Sequence, residues 1–285
     1  IPSALNTRTL LRKMLMIRLF LGLFIVSALA LNAAEITNGK VSLLEFDAKK
    51  AKTLLWDKKN IPLLEHPTNS QKKIAFLPIS YYHETPINLE YITHQGTQTM
   101  HLDFVPGAYA KEVLRVEPSK VSPPKEVQAR IKQELAEAKA IYNTTTPKRF
   151  WHSPFEIPLN SAITSAYGNA RVFNTTLQSY HSGVDFKAAM GTPIMASNDG
   201  KVVLVKDRYY AGGSVIVDHG EGIYSVYYHL SAFQVRVGDV IKKGDIVGLS
   251  GSTGRVTGPH LHFGFMVQGV GVDPLDFISK VKTLF

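Results

Sequence analysis

Gly212-Gly213-Ser214-Val215-Ile216-Val217-Asp218-His219-Gly220 sets the texture that decides the fold, a short apolar run bracketed by glycine turns. A run of this length between turn residues predicts a strand. Outward from it the pattern repeats in Lys201-Val202-Val203-Leu204-Val205, in Ile223 to His229, in Ile246-Val247-Gly248-Leu249 and in His262 to Val267. Turn signals separate these runs at Asp199-Gly200, Gly238-Asp239 and Gly244-Asp245 as well as at the two ends of the first. No apolar period of helical length appears from 195 to 270. The C-terminal half is therefore expected to be a mainly β, mostly antiparallel domain, with a short helix around Pro274 to Lys282.

Upstream, residues 35–120 hold short stretches such as Val41-Ser42-Leu43-Leu44, Lys73-Ile74-Ala75-Phe76-Leu77 and Met100 to Val105, punctuated by Pro62, Pro67, Pro78, Pro86, Gly96 and Gly107. These predict a small β domain. Its histidines, His66, His83, His94 and His101, lack ligand spacing and are expected to be surface or hydrogen-bonded residues. Ser122-Pro123-Pro124 predicts a helix start with Ser122 as N-cap, and Val127, Ile131, Leu135, Ala138 and Ile141 recur at helical spacing through Tyr142 as a core-facing seam. Asn143 to Pro147 ends it. The expected organisation is a leader over 1–34, the small β domain over 35–120, a linker helix over 121–150 and the main domain over 151–285.

The leader rests on Leu19 to Leu31, LFLGLFIVSALAL, preceded by Arg12, Lys13 and Arg18 and followed by small residues that offer cleavage after Ala30, Ala33 or Ala34. This is the pattern of a secretory signal peptide, and the run is short for a comfortable membrane span. Met14 or Met16 is the expected translation start, which makes residues 1–13 non-native. The formal charge of +9 falls to +5 without the four basic residues of that segment, which has no acid. A modest excess suits solubility and a polyanionic surrounding such as a cell wall. No dense Lys/Arg run or RNA-binding motif indicates nucleic acid. With no cysteine in the chain, disulfides, thiolate metal sites and a cysteine nucleophile are excluded, so any metal must sit on His, Asp or Glu.

Such a set exists. His260 and His262 in Gly258-Pro259-His260-Leu261-His262-Phe263 point to one face if the segment is extended. His181 and Asp185 in His181-Ser182-Gly183-Val184-Asp185 lie on one side whether extended or helical, and Gly183 permits tight packing. Two imidazoles and a carboxylate with one open position are the donor set of a catalytic zinc site, where water reaches a pKa of about 7. His229, at the end of a predicted strand, is a fourth group. Two imidazoles beyond the ligands can serve as base and as donor to an oxyanion or leaving amine. Spacing alone leaves open which of His260 and His262 is ligand and which is base. Asp185, among Gly183, Val184 and Phe186, would be costly to bury without a cation. His219 falls at a predicted turn and fits no ligand role. Tyr227 and Tyr228 are expected to face core and cleft wall respectively. Gly251 to Gly254 is not followed by Gly-Lys-Ser/Thr, which argues against a phosphate loop.

Residues Trp151 to Pro274 resemble the lysostaphin or LytM type of zinc metallopeptidase, which acts on bacterial peptidoglycan. The likeness rests on His181 to Asp185, His260 to His262 and His229, supported by Thr164 to Gly168, Gly191 to Ile194, Gly251 to Gly254 and Val272-Asp273-Pro274. It implies one Zn²⁺ held by His181, Asp185 and His262, with His229 and His260 as acid/base and transition-state stabilisers. The implied activity is cleavage of peptide cross-links at the D-Ala to meso-diaminopimelate bond, in the periplasm or cell envelope, by a monomer that meets other cell-wall or divisome proteins. D,D-carboxypeptidase trimming of stem peptides, and a noncatalytic scaffold that activates other wall hydrolases, are the alternatives. The stretch from Tyr109 to Val116, with Arg130 and Glu134, resembles the extra β domain and helix of Gram-negative members. In such relatives an N-terminal segment can cover the cleft and donate a ligand, and similar latency is expected here.

Overall fold

The computed structural model describes residues 34–174 and 177–285. The expected signal peptide lies outside the described residues. Among those described, no helix is long and apolar enough to cross a membrane.

The C-terminal half forms a 10-stranded sheet. Its spine runs, in spatial order, through Ile163–Ser165, Val184–Lys187, His260–Val267, Ile223–Phe233, Gly212–Gly220, Gly200–Arg208 and Val240–Ile241, every neighbour antiparallel. Ile246–Ser250 pairs with both Ile223–Phe233 and Pro193–Met195, and Val270–Val272 with His260–Val267. The five strands expected between 201 and 267 are all present, most of them longer than the sequence indicated. The terminal helix Pro274–Lys282 starts at Asp273, whose carboxylate accepts the backbone N–H of Leu275 and Asp276.

Gly212–Gly220 is buried along its whole length because both faces of this central strand are covered. One face joins a core containing Trp151, Phe155, Phe263, Phe265 and Phe277. On the other, Ile216, Leu204, Tyr224 and Val226 pack against Ile141 and Tyr142 of the linker helix.

The upstream region forms a 5-stranded sheet and a 3-stranded sheet. The expected strands appear there as Val41–Asp47, Lys72–Pro78 and Gly96–Phe104. Its core is continuous with the main domain. Val41, Ile74 and Phe76 belong to the same buried cluster as Trp151 and Phe277, and residues 35–285 form one compact unit. Polar ties cross as well: Asp273 N–H donates to Gly39 O, and Val41 N–H to Asp276 Oδ2.

Two features of the linker helix differ from expectation. It spans Lys125–Tyr142 with Pro124 at the cap position and no side-chain cap, so Ser122 lies outside it. Its buried face centres on Glu134 and Ala138, while Leu135 is 59% exposed. The apolar spacing was right for a helix, but a buried carboxylate replaces one expected apolar contact. Glu134 is held there by Arg130 Nε at 2.6 Å and by the backbone N–H of Tyr209 at 2.9 Å.

Candidate metal centre

Antiparallel pairing brings the two distant motifs together. Asp185 on Val184–Lys187 stands directly opposite His262 on His260–Val267, and His262 in turn stands opposite Tyr228. Cross-strand partners share a face of the sheet, so the carboxylate, the imidazole and the phenol ring form one row. Tyr228 stacks on the His262 ring at 5.4 Å with the planes 4° apart, and Tyr227 is fully buried, as their alternation predicts. His181 enters from the loop before Val184–Lys187. The loop passes so close that a Cβ at Gly183 would lie 2.6 Å from His262 Nε2 and 2.4 Å from Phe263 O.

His181 Nε2, Asp185 Oδ1 and His262 Nδ1 lie 2.9 Å from one another in all three pairings. All three residues are buried and form the one group of this kind among the described residues able to hold a metal. His181 Nδ1 lies 2.8 Å from Ala166 O, which can only accept, so the proton of the neutral ring sits there and Nε2 presents a lone pair. That lone pair faces a carboxylate oxygen. Burial lowers the pKa of His262 to about 4 against the opposing pull of Asp185, so the His262 ring is neutral at physiological pH. Burial alone would raise the Asp185 carboxyl, but the two imidazoles of His181 and His262 set against it hold it well below the ordinary carboxylate range. Converging acceptors with one excess negative charge suit a divalent cation. Ligand bonds of about 2.0–2.1 Å fit atoms at this mutual spacing. The donor set of two nitrogens and one oxygen fits zinc.

His229 and His260 flank these acceptors. Their rings are 4.8 Å apart, and His260 Nε2 lies 3.7 Å from Asp185 Oδ1. His229 Nδ1 donates to Thr253 O and His260 Nδ1 to Gly258 O, both at 2.8 Å, which leaves Nε2 of each ring as the group with a lone pair. Burial, followed by the neighbouring His260 and His262, pushes the pKa of His229 well below its ordinary value. His229 has a φ of 64°, unusual for a residue with a side chain, at an irregularity in the pairing of its strand with Gly212–Gly220. Such a bulge re-aims a side chain, here toward the cleft. His219 differs from the expected turn residue. It is fully buried within a strand, bonded to Asp199 O and Ser225 Oγ, and burial lowers its pKa to about 4.

An outer layer not singled out from the sequence holds the acceptors in place. Arg171 Nη2 donates to Asp185 Oδ2 at 2.7 Å, which leaves Oδ1 facing the two imidazoles. Arg171 Nε donates to Glu112 at 3.0 Å, and Glu112 also accepts from Ser165 Oγ and Asn169 Nδ2. Glu112 belongs to Lys111–Leu114, which joins Ala170–Phe173 as a parallel strand. The upstream region thus reaches the outer layer of the site. Among the described residues, none of its side chains joins the three acceptors themselves. The only sequence signal for Glu112 was its place within the Tyr109 to Val116 stretch.

Residues 179–274 match peptidase family M23. A peptidoglycan DD-endopeptidase of Vibrio cholerae, ShyA, is 44% identical over 95 residues, covering 33% of this chain and 22% of that relative. The DD-carboxypeptidase/endopeptidase Mpg of Neisseria meningitidis is 41% identical over 95 residues, with the same shares of the two chains. The chain thus spans about a fifth of the length of these curated relatives. Among solved structures, a candidate peptidase M23 from Pseudomonas aeruginosa aligns with a TM-score of 0.66 and 27% identity, over 85% of this chain and 94% of that one. The match therefore extends well beyond the metal-site motifs, and residues 179–274 form a peptidase family M23 domain of the lysostaphin/LytM type, with an extra region N-terminal to it.

Proposed function

We propose that this protein is a zinc-dependent peptidoglycan hydrolase that cleaves D-Ala to meso-diaminopimelate cross-links outside the cytoplasm, and that His181, Asp185 and His262 are its metal ligands. The observation that carries this reading is the cluster of three buried acceptors, 2.9 Å apart, beside two neutral-tautomer imidazoles. A bound Zn²⁺ would supply Lewis acidity toward the scissile carbonyl and make water a nucleophile near neutral pH.

The chain's own groups do the rest. Nε2 of His229 or His260 takes the proton of the attacking water and returns it to the leaving nitrogen. The second ring donates to the developing oxyanion once it is protonated. The backbone carbonyls of Thr253 and Gly258 fix both tautomers, so each ring offers the nitrogen that faces the cleft. Linker-helix residues Leu135 and Tyr142 and sheet residue Tyr228 wall a groove of about 570 Å³ that reaches His181, His229 and His262, large enough for a peptide. Relatives named for DD-endopeptidase and for DD-carboxypeptidase/endopeptidase activity support a DD-peptide bond as the target. Their cell-wall substrate supports a periplasmic or envelope location.

Incubation with intact peptidoglycan, with and without a chelator, tests the reading through the muropeptides released. Loss of cross-linked dimers that the chelator prevents is the expected result. Loss of terminal D-Ala from monomers alone would reassign the protein as a carboxypeptidase, and an unchanged profile would replace hydrolysis with the scaffold role.

A further inference from the structure

Three arginines line the groove beside the acceptor cluster, Arg171, Arg208 and Arg255. Arg171 is neutralised by Glu112 and Asp185. Among the described residues the other two pair with no acid. Arg255 is held by rings instead of carboxylates. Its guanidinium carbon lies 4.2 Å from the centroid of Phe173 and 4.7 Å from that of Tyr210, and among the described residues the guanidinium makes no hydrogen bond and no ion pair. Arg208 is 7% exposed, and Nη2 donates to Glu134 O at 3.2 Å while, among the described residues, the buried Nε has no partner. The carboxylate of Glu134 is engaged elsewhere, by Arg130 and Tyr209. Burial lowers the pKa of Arg255 first of all, and the nearby Arg171 adds to this.

An uncompensated cation in a partly desolvated groove is unfavourable unless an anion completes it. The aromatic faces of Phe173 and Tyr210 stabilise the charge partly and fix the plane of the guanidinium, which presents its N–H fork as a preformed receptor. The planar fork matches a carboxylate in bidentate geometry. Arg255 also lines the second hollow, on the side of Asp185 and His260, so it stands where the two openings around the acceptor cluster meet.

Resting on the proposed peptidoglycan activity, we infer that Arg255 is a substrate-specificity residue that receives the free carboxylate on the residue whose nitrogen leaves, with Arg208 reinforcing the positive field behind it. In the D-Ala to meso-diaminopimelate bond, the carbon bearing the leaving nitrogen also bears a carboxylate. A terminal D-Ala has the same arrangement. One receptor therefore serves endopeptidase and carboxypeptidase cleavage alike, and it selects against internal peptide bonds, where an amide takes the place of that anion.

The test uses the full chain loaded with zinc and two forms of one cross-linked muropeptide dimer, with this carboxyl free or converted to the carboxamide. Wild type is expected to favour the free acid by about 10- to 100-fold in kcat/KM, the range of a charge-assisted contact. Arg255→Gln should bring that ratio close to one, chiefly through KM, with zinc content and melting temperature as folding controls. Arg255→Lys should give an intermediate ratio. Calorimetry with N-acetyl-D-Ala-D-Ala and its C-terminal amide provides a reading independent of turnover, and wild type should bind the acid more tightly. Equal cleavage of both dimers by wild type, or an unchanged ratio in Arg255→Gln, overturns the inference and leaves the hydrolase reading intact. If neither dimer is cut, the hydrolase reading fails, and equal binding of acid and amide then removes the carboxylate receptor too.

Discussion

Glu112→Ala is the sharpest probe of how the metal centre is built, because the residue lies far upstream of the ligand motifs and touches none of the three acceptors. Its carboxylate takes hydrogen bonds from Ser165 Oγ at 2.8 Å, Asn169 Nδ2 at 2.7 Å and Arg171 Nε at 3.0 Å. Burial would raise the Glu112 pKa, yet these three donors and the charge of Arg171 hold it below its ordinary value, so the group is an anion in the folded chain. Removing it leaves Arg171 tethered at one end only, through Nη2, to Ser165 Oγ and Asp185 Oδ2. Asn169 loses an acceptor at a site that is 9% exposed. An orphaned buried donor costs about 1–3 kcal/mol of stability. Loss of an outer-shell partner typically weakens metal binding by about 10- to 100-fold, equivalent to roughly 1.4–2.7 kcal/mol. Competition against a chelating dye, alongside thermal melts of the metal-free and metal-loaded chain, measures both effects. A folded Glu112→Ala protein that binds zinc within about twofold of wild type would refute the claim that the upstream strand orders the site.

His181→Ala and His262→Ala should lose both bound metal and activity, whereas His260→Ala should keep metal and lose most turnover, about 10²-fold or more for a general acid/base. Metal analysis of the last variant exposes the error if it comes back empty. Gly183→Ala must push a Cβ into His262 and the backbone of Phe263. It should lower stability by about 1–3 kcal/mol as overpacking does, with a parallel loss of metal affinity, and an unperturbed melting temperature would contradict the contact. The buried His219, with its pKa lowered to about 4 from 6.5, binds a proton less readily folded than unfolded. Stability should therefore be complete above pH 6.5 and fall as pH drops toward 4, with His219 responsible for about 3 kcal/mol of the loss. Urea unfolding at pH 7 and 4.5 should show a smaller pH difference in His219→Gln, and identical differences would exclude His219 as the source.

The strands and turns from Gly200 to Val267 were legible because glycine dipeptides mark the reversals and each apolar run is of strand length. The three acceptors His181, Asp185 and His262 were legible as a group because their types and spacings match a metal chemistry with few donor sets. Spacing alone did not choose between His260 and His262, since both project from one face of a strand. The register brings His262 into the acceptor cluster by setting Asp185 opposite it, and leaves His260 at the rim. Leu135 shows the limit of periodicity. A helical stripe does not reveal that one side of the helix borders a cleft, so an apolar residue stays exposed while Glu134, paired with Arg130, is buried.

Residue types and their spacing supply the chemistry available, namely histidine and aspartate acceptors without thiols and an antiparallel β scaffold able to present them. What surrounds them is set by the folded chain. Glu112 lies 59 positions before Arg171 and reaches it through a parallel strand pairing that carries no short-range signal. Among the described residues, Arg255 keeps an unpaired, half-buried charge because its neighbours are the rings of Phe173 and Tyr210, on two other segments. Local propensity acts over a few residues, whereas charge balance in a buried site depends on every segment that packs around it, and that sum is fixed only when the chain has closed.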